Sequence, residues 1–358
     1  MARKSLETSS KKKEKEEPKN TFSKEQLVKA LDRLSPGLLH KSLIPQMSHY
    51  LFMKDRIATY NENISVEVPF DIGFSGSVPA EEFYKLLNKV PSKDIQLSLE
   101  GEQIVVKAGS SSFGLAYTQP EAIHQQVEQL EEARTNWLEL TGEAKQAMVL
   151  CSFSTSRDSS KPALRGVLVG NNEVLSSDNY RISWYQLKEG QIRRLFLPVA
   201  SSLVHLIKYD VKEYCLVHSW IHFRGEGIVF SSRLLEEEFP QKAKEFFPKE
   251  DEIGEGFELP KTLLDLLDKA LVLLIDDFLL DKKVTLTFQE DEILCEASKP
   301  NLGWFRESVP LKNGPKESVV IEANPIFLKE VAKHATKVFI LENKLLFISG
   351  NFKHLISL

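Results

Sequence analysis

Several residue groups in the 358-residue chain have types and spacings that can carry chemistry. His218 and His222 stand four apart in the run HSWIH; on a helix that spacing would aim two imidazoles at one metal ion. The run reads as a strand and lacks the glutamate of an HExxH pattern, so part-buried strand histidines are the expectation. Gly73-Phe74-Ser75-Gly76-Ser77 has the small residues of a nucleophile elbow without the GxSxG spacing that exposes a serine at a strand-to-helix turn. Asp276-Asp277 at a helix end and Glu250-Asp251 in a linker read as solvated charge. No GxxxxGK[ST] phosphate loop occurs. Cys151, Cys215 and Cys295 are odd in number, far apart and without a CxxC pair. That points to a reducing, cytoplasmic compartment and away from a disulfide framework or zinc site. The residues therefore predict no catalytic group, no metal and no cofactor: a scaffold, ring or binding array, with an enzyme of unrelated class the weakest alternative.

Composition bounds the setting of these groups. With 46 Lys+Arg, 51 Asp+Glu, a net charge of −5 and 42% hydrophobic residues, the chain is that of an ordinary globular protein of two or three domains. No apolar run approaches the ~20 residues that span a bilayer, and the first residues lack the apolar core of a secretory signal. Residues 1–20 carry seven basic and four acidic residues and almost nothing apolar, which predicts a solubilising tail without fixed structure. The remainder holds 39 basic and 47 acidic residues, a charge of −8. Taken bluntly, that balance argues against nucleic acid as a partner.

The elements repeat. Segments beginning at Gly76, Leu195 and Val319 each open on a short β-rich stretch. Each then shows helical spacing (Phe83, Leu86, Leu87; Leu203, Leu206, Ile207; Phe327, Val331) and continues as alternating strands separated by a polar turn. Helices predicted over Lys24–Leu34, Gly142–Phe153 and Lys261–Ile275 precede the three copies. Each is followed by strands such as LRGVLVG and EVLSSDNYRISWY, or KVTLTF and EILCEAS. One unit reads β-α-β-β-β-α-β-β-β, an α+β fold with antiparallel sheets. Residues 121–140 read as a charged helical connection and 241–256 as a charged linker.

These residues resemble the bacterial sliding clamp, the β subunit of the replicative DNA polymerase. Val78-Pro79-Ala80 with Val90-Pro91, and the strand pair Leu97–Pro120, are similar to the family's first domain. LRGVLVG (Leu164–Gly170), SSDNYRI (Ser176–Ile182) and SSRLLEEEFP (Ser231–Pro240) are similar to the second, and IEANPIFL (Ile321–Leu328) to the third. The resemblance covers about residues 21–358. It implies three clamp domains, 21–122, 123–252 and 253–358, with sheets outside and helices lining a homodimeric ring around duplex DNA. Such a ring tethers a polymerase as a processivity factor and is opened by a clamp loader. A clamp-fold interaction protein that no longer closes a ring or binds DNA is the alternative.

The resemblance also implies sites. Positive charge toward the hole would come from Lys24, Lys29, Arg33, Lys85, Lys89, Lys208, Lys212, Lys261, Lys269, Lys329, Lys333 and Lys337, with Lys329/Lys333/Lys337 an i, i+4 stripe. Lys41 matches a DNA-contacting arginine of the family in the loop after the first helix and Arg157 lies near a polar DNA-contacting loop, whereas Glu81 and Glu82 stand where the family is basic. Phe113 and Leu115 would meet Val272 and Leu273 of a second copy. A pocket for short partner peptides would use Leu164, Ser177, Asn179, Tyr180, Arg181, Ile182, Pro240, Asn324, Phe327 and Leu355. There Asn179-Tyr180 replaces the family's Gly-His, which would narrow the pocket or change its ligand.

Overall fold

The structure, a computed structural model, describes residues 21–358 except 40–42, 120, 189–191, 193–194, 276 and 336. The tail, Lys41 and Asp276 therefore lie outside the described residues. Two compact units result: the first runs to Asn61 and over Ser65–Glu132, the second takes Glu62–Ile64 and Ala133–Leu358.

In the first unit the elements are β1 (Thr21–Ser23), α1 (Lys24–Leu34), β2 (His49–Met53), β3 (Arg56–Tyr60), β4 (Ile64–Pro69), β5 (Ser75–Pro79), α2 (Ala80–Lys89), β6 (Asp94–Glu100), β7 (Gln103–Ala108), β8 (Ser111–Ala116) and α3 (Glu121–Glu132). The strands form antiparallel layers in the orders β1-β6-β7-β8 and β5-β2-β3-β4. Helix α1 forms where the sequence predicts it. The Ser23 hydroxyl accepts from the Gln26 N–H, and Leu27, Ala30, Leu31 and Leu34 fall on one buried face. Helix α2 buries Ala80, Phe83 and Leu87 and stops at Val90, whose extended backbone suits the residue before Pro91. Phe83 lies edge-on to Tyr50, Phe52 and Phe113 at 5.8–6.3 Å between ring centroids, so the helix pair and the sheets share one aromatic core. Arg56 binds Glu131 at 2.6 Å and the Tyr60 hydroxyl donates to Gln126 at 2.7 Å; these contacts hold α3 in this unit.

The second unit contains β9 (Leu138–Glu139), α4 (Gly142–Cys151), β10 (Leu168–Gly170), β11 (Glu173–Ser177), β12 (Arg181–Gln186), α5 (Ala200–Leu203), α6 (His205–Lys208), β13 (Glu213–Val217), β14 (Trp220–Gly225) and β15 (Ile228–Arg233). It continues with β16 (Phe257–Glu258), α7 (Leu263–Leu273), β17 (Val284–Phe288), β18 (Glu292–Lys299), β19 (Gly303–Pro310), β20 (Val319–Ala323), α8 (Pro325–Ala332), β21 (Lys337–Leu341), β22 (Lys344–Ser349) and β23 (Phe352–Ser357). Helices pack in pairs, α4 with α6 and α7 with α8, as α1 does with α2 in the first unit. A seven-stranded sheet, β10-β11-β12-β23-β22-β21-β16, joins strands of the second and third sequence repeats through the β12–β23 register Ile182↔Leu355.

Four readings change in detail. The outer repeats carry one more strand before the second helix than expected (β5, β20). LRGVLVG is a strand only over Leu168–Gly170, because Pro162–Arg165 turns as a 3-10 helix entered through proline. The middle repeat's second helix is broken at Val204; Ser201, Ser202 and Val204 are weak helix formers. Lys329, Lys333 and Lys337 do not form a helical stripe. Helix α8 ends at Ala332, where the N–H groups of His334 and Ala335 both bond to the Val331 carbonyl, and Lys337 begins β21.

His222 is buried within β14, and its Nδ1 faces the Ser231 hydroxyl at 2.8 Å and the Arg134 Nε–H at 3.2 Å. Burial, helped by Arg134, pushes its pKa down to about 3. The unfolded chain takes up this proton near pH 6.5 and the folded chain does not. The stability that neutral His222 gives is thus complete above pH 6.5 and declines as pH falls toward 3, by at most about 1.4 kcal/mol per pH unit. His222→Gln, which keeps an acceptor, is expected to flatten the fall of Tm between pH 7 and pH 5. An unchanged slope would remove His222 from the account.

Candidate functional site

The groups that first suggested chemistry are held in structural roles. His218 occupies the β13–β14 turn at φ 48° while His222 points into the core, so the two do not converge. Ser77 is buried and bonds Thr118 and His49. Asp277 pairs with Lys299 at 2.8 Å, and Glu252 closes the turn that holds Glu250-Asp251. All three cysteines are buried free thiols, and burial lifts the Cys295 thiol to about 12. Among the described residues no cluster of three or more metal-ligating side chains occurs.

A different place has the form of a site. A cavity of about 330 Å³ opens where β12 meets β23, lined by Ser177, Asn179, Tyr180, Arg181, Ile182, Pro240, Lys242, Ala243, Phe246, Lys344, Leu355 and Ser357. Behind it stands an apolar cluster that includes Leu164, Leu175, Ile182, Phe239, Ala243 and Leu355. Of the ten residues expected at a peptide pocket, Ser177, Asn179, Tyr180, Arg181, Ile182, Pro240 and Leu355 line the wall. Leu164 lies in the cluster behind it. Asn324 caps α8 by accepting from the N–H of Ile326 at 2.9 Å, and donates to the Leu279 carbonyl at 2.6 Å. Phe327 sits under the Arg181 guanidinium, 4.2 Å from ring centroid to Cζ.

The turn that carries the wall is built by its own side chains. Asp178 Oδ1 accepts from the N–H groups of Tyr180 and Arg181 at 3.1 and 3.0 Å, and Asn179 takes φ 79°. Asparagine tolerates this left-handed conformation better than most residues, so the turn shape that glycine would give is kept. Tyr180 then points to the rim, 43% exposed. Arg181 is only 6% exposed. Its Nε donates to Asp178 at 2.8 Å, its Nη2 to the Phe153 carbonyl at 2.7 Å, and its Nη1 to Glu330. Burial raises the Asp178 carboxyl, and Arg181 with the two backbone N–H groups pulls it back. Beneath, Ser154 links Ser176 and Ser183 at 2.7 Å each, and Ser183 meets His354 Nδ1 at 2.8 Å. Burial holds His354 neutral by lowering its pKa.

Sequence reasoning missed Lys242, Ala243, Phe246, Lys344 and Ser357. The first three come from residues 241–256, read as a linker, which wind into a 3-10 helix over Gln241–Phe246. The available signal was the apolar pair Ala243 and Phe246, three apart inside a charged run.

The candidate cations are dispersed. Lys24 donates to the Val90 carbonyl at 2.7 Å, Lys85 pairs with Glu81, Lys269 with Glu307 at 2.6 Å and Lys329 with Asp268. Lys29, Lys89, Arg157, Lys208, Lys261 and Lys333 are exposed and Arg33 is half-buried. Lys212 lies between α6 and β13, 3.5 Å from Asp210. Glu81 and Glu82 occupy the first turn of α2, where carboxylates suit the helix dipole, and with Asp32 they rim a cavity of about 360 Å³. Phe113 and Leu115 are half-buried on the edge strand β8, whereas Val272 is 69% exposed at the end of α7, followed by exposed Ile275 and Phe278.

No family model and no curated protein matches the chain. Solved structures do. The β subunit of DNA polymerase from Streptococcus pyogenes superposes with a TM-score of 0.77 at 20% identity, covering 94% of this chain and 98% of that one. The DNA polymerase III β subunit of Thermotoga maritima gives 0.75 at 18% identity, with the same coverage. The Helicobacter pylori β clamp bound to a DNA ligase peptide gives 0.73 at 17% identity, over 94% and 99% of the two chains. The chain has the sliding-clamp fold along nearly its whole length.

Proposed function

We propose that this protein is a non-catalytic DNA sliding clamp. Two copies close head to tail around duplex DNA, and the ring tethers the replicative polymerase as its processivity factor. Its three clamp modules are taken as 21–122, 123–252 and 253–358. The observation that carries the reading is the clamp fold over 94% of the chain, together with a pocket assembled from seven of the ten positions that the resemblance nominates. A ring needs no reactive group: topology holds it on DNA, and loosely placed lysines attract phosphates without fixing a register.

Closure has a physical basis at the end of α7. Val272, Ile275 and Phe278, the last 83% exposed, put three exposed apolar side chains within seven residues, the material of an association site, and β8 offers an edge strand that pairing would protect. The wild-type protein is expected to sediment at twice its 40.7 kDa chain mass, and Val272→Glu with Phe278→Glu to yield the monomer. The dimer should stay on nicked circular DNA and leave once the circle is linearised. A wild-type monomer at micromolar concentration, or retention indifferent to linearisation, sinks the clamp reading in favour of a clamp-fold protein that closes no ring.

The pocket would receive short peptides of polymerase and loader subunits, in line with the ligase peptide on the H. pylori clamp. Phe246, 56% exposed on the rim, is an aromatic of the type that anchors such contacts. Phe246→Ala is expected to weaken a fluorescein-labelled ligase peptide about tenfold, as truncation of an aromatic hot spot does, while Tm changes little. Unchanged affinity would place the peptide elsewhere.

A further inference from the structure

The charge of the pocket lining is one-sided, and Lys242 borders Glu237 and Glu238 only on the far side, in a neighbouring cavity. Three of the pocket's lining residues are cationic and none is acidic. Arg181 is neutralised by Asp178 and Glu330. Lys242 and Lys344 are not: among the described residues neither is paired with a carboxylate. The contrast with Lys244, two positions on in the same 3-10 helix, is direct, since its ammonium binds both Glu173 oxygens at 2.8 and 3.0 Å.

The two free lysines enter from different walls. Lys242 comes from the 3-10 helix Gln241–Phe246 and Lys344 from the start of β22. The Lys344 Nζ donates to the Phe246 carbonyl at 3.1 Å and stands 5.6 Å from the Phe246 ring. That bond fixes the ammonium at the mouth and leaves two of its three N–H groups for a ligand. The interior, by contrast, is closed by Ile182, Leu355, Ala243 and Pro240. A chain with net charge −5 presents here two lysines without a carboxylate partner among the described residues, a surplus of one positive charge once Arg181 is counted with Asp178 and Glu330.

We propose that the pocket selects, among peptides with apolar anchors, those carrying an Asp or Glu side chain beside the anchors, and that Lys242 and Lys344 read that carboxylate. This rests on the pocket being a peptide site. Anchor burial supplies the affinity, and the lysines supply the discrimination against neutral and basic sequences. An acidic side chain gains two ammonium neighbours at the rim. A lysine in its place meets like charge.

A set of C-terminally amidated hexapeptides tests the proposal. Each has two adjacent anchors (Leu or Phe), Ser elsewhere, and Asp, Asn or Lys scanned through the remaining positions. Binding is read by fluorescence anisotropy on the full chain and on a double variant, K242Q with K344Q. At least one Asp peptide should bind wild type about fivefold tighter than its Asn twin, the upper range for exposed ion pairs, and its Lys twin should be weaker still. The gap, read as the ratio of Asp to Asn affinity within each protein, should close in K242Q/K344Q and at about 0.5 M salt, where exposed charges are screened. Equal binding of Asp and Asn peptides to wild type overturns the selection and leaves the peptide pocket standing, as does a gap that survives in K242Q/K344Q. A second set with free C-terminal carboxylates completes the test: if only these peptides bind in a way that depends on Lys242 and Lys344, the side-chain selection is overturned too. If no anchored peptide binds either protein, the pocket reading falls as well.

Discussion

A guanidinium buried to 6% exposure organises the candidate site. Arg181 belongs to β12 but binds Asp178 in the preceding turn, Glu330 on α8 and the carbonyl of Phe153 after α4, and it stacks on Phe327 and Phe153. A buried cation is tolerated only when its donors are satisfied and its charge is matched, and here one side chain meets that demand by tying four segments together. The β12–β23 pairing then runs directly beneath, with Arg181 opposite Ile356 and Ile182 opposite Leu355. The pocket is a consequence of this junction. Its floor is the apolar side of two strands from different repeats, and its mouth is whatever the adjacent turn and 3-10 helix leave open.

The sequence discloses the parts of this arrangement whose cause is local. Helix α1 is legible to its end residues because a serine cap, an i, i+3, i+4 leucine face and Ser35-Pro36 all agree. The pocket wall is legible through resemblance, since Asp178-Asn179-Tyr180-Arg181 holds its turn by its own hydrogen bonds. The errors fall where tertiary structure overrides a local pattern. Lys329, Lys333 and Lys337 keep helical spacing on paper, but the turn at Val331–Ala335 hands Lys337 to a strand that pairs with Glu258 and Ile348. Residues 241–256 look like a linker because they are charged, yet Ala243, Phe247 and Ile253 from that run pack on the apolar cluster behind the pocket. Nothing local distinguishes Lys242 from Lys244; the difference is Glu173, a residue far away in sequence.

The composition takes on a different meaning in this light. A net charge of −5 argues against DNA only if charge is spread evenly. Under the proposed function, retention comes from closure and not from phosphate contacts, so the chain needs no strong basicity to stay on DNA. Several candidate lysines are in fact committed to neighbours: Lys24 to the end of α2, Lys269 to Glu307, Lys329 to Asp268. A sparse set of exposed cations, interspersed with carboxylates such as Glu81 and Glu82, would suit a ring that steers duplex DNA weakly. It would not suit a protein that must hold DNA by affinity.

The same logic separates the two kinds of positive charge in the molecule. Under the proposed function the dispersed exposed lysines attract phosphates through solvent, where salt screens them and no register is set. Lys242 and Lys344, under the proposal, act at one cavity with an apolar floor, where a carboxylate would have a defined place to go. Loose charge favours motion along a polymer of uniform charge, whereas localised charge favours choice among peptides that differ by one side chain. A clamp needs both, since it must be indifferent to the sequence it encircles and particular about the protein it carries. The second property rests, under the proposed reading, on a short 3-10 helix and on the first residue of β22.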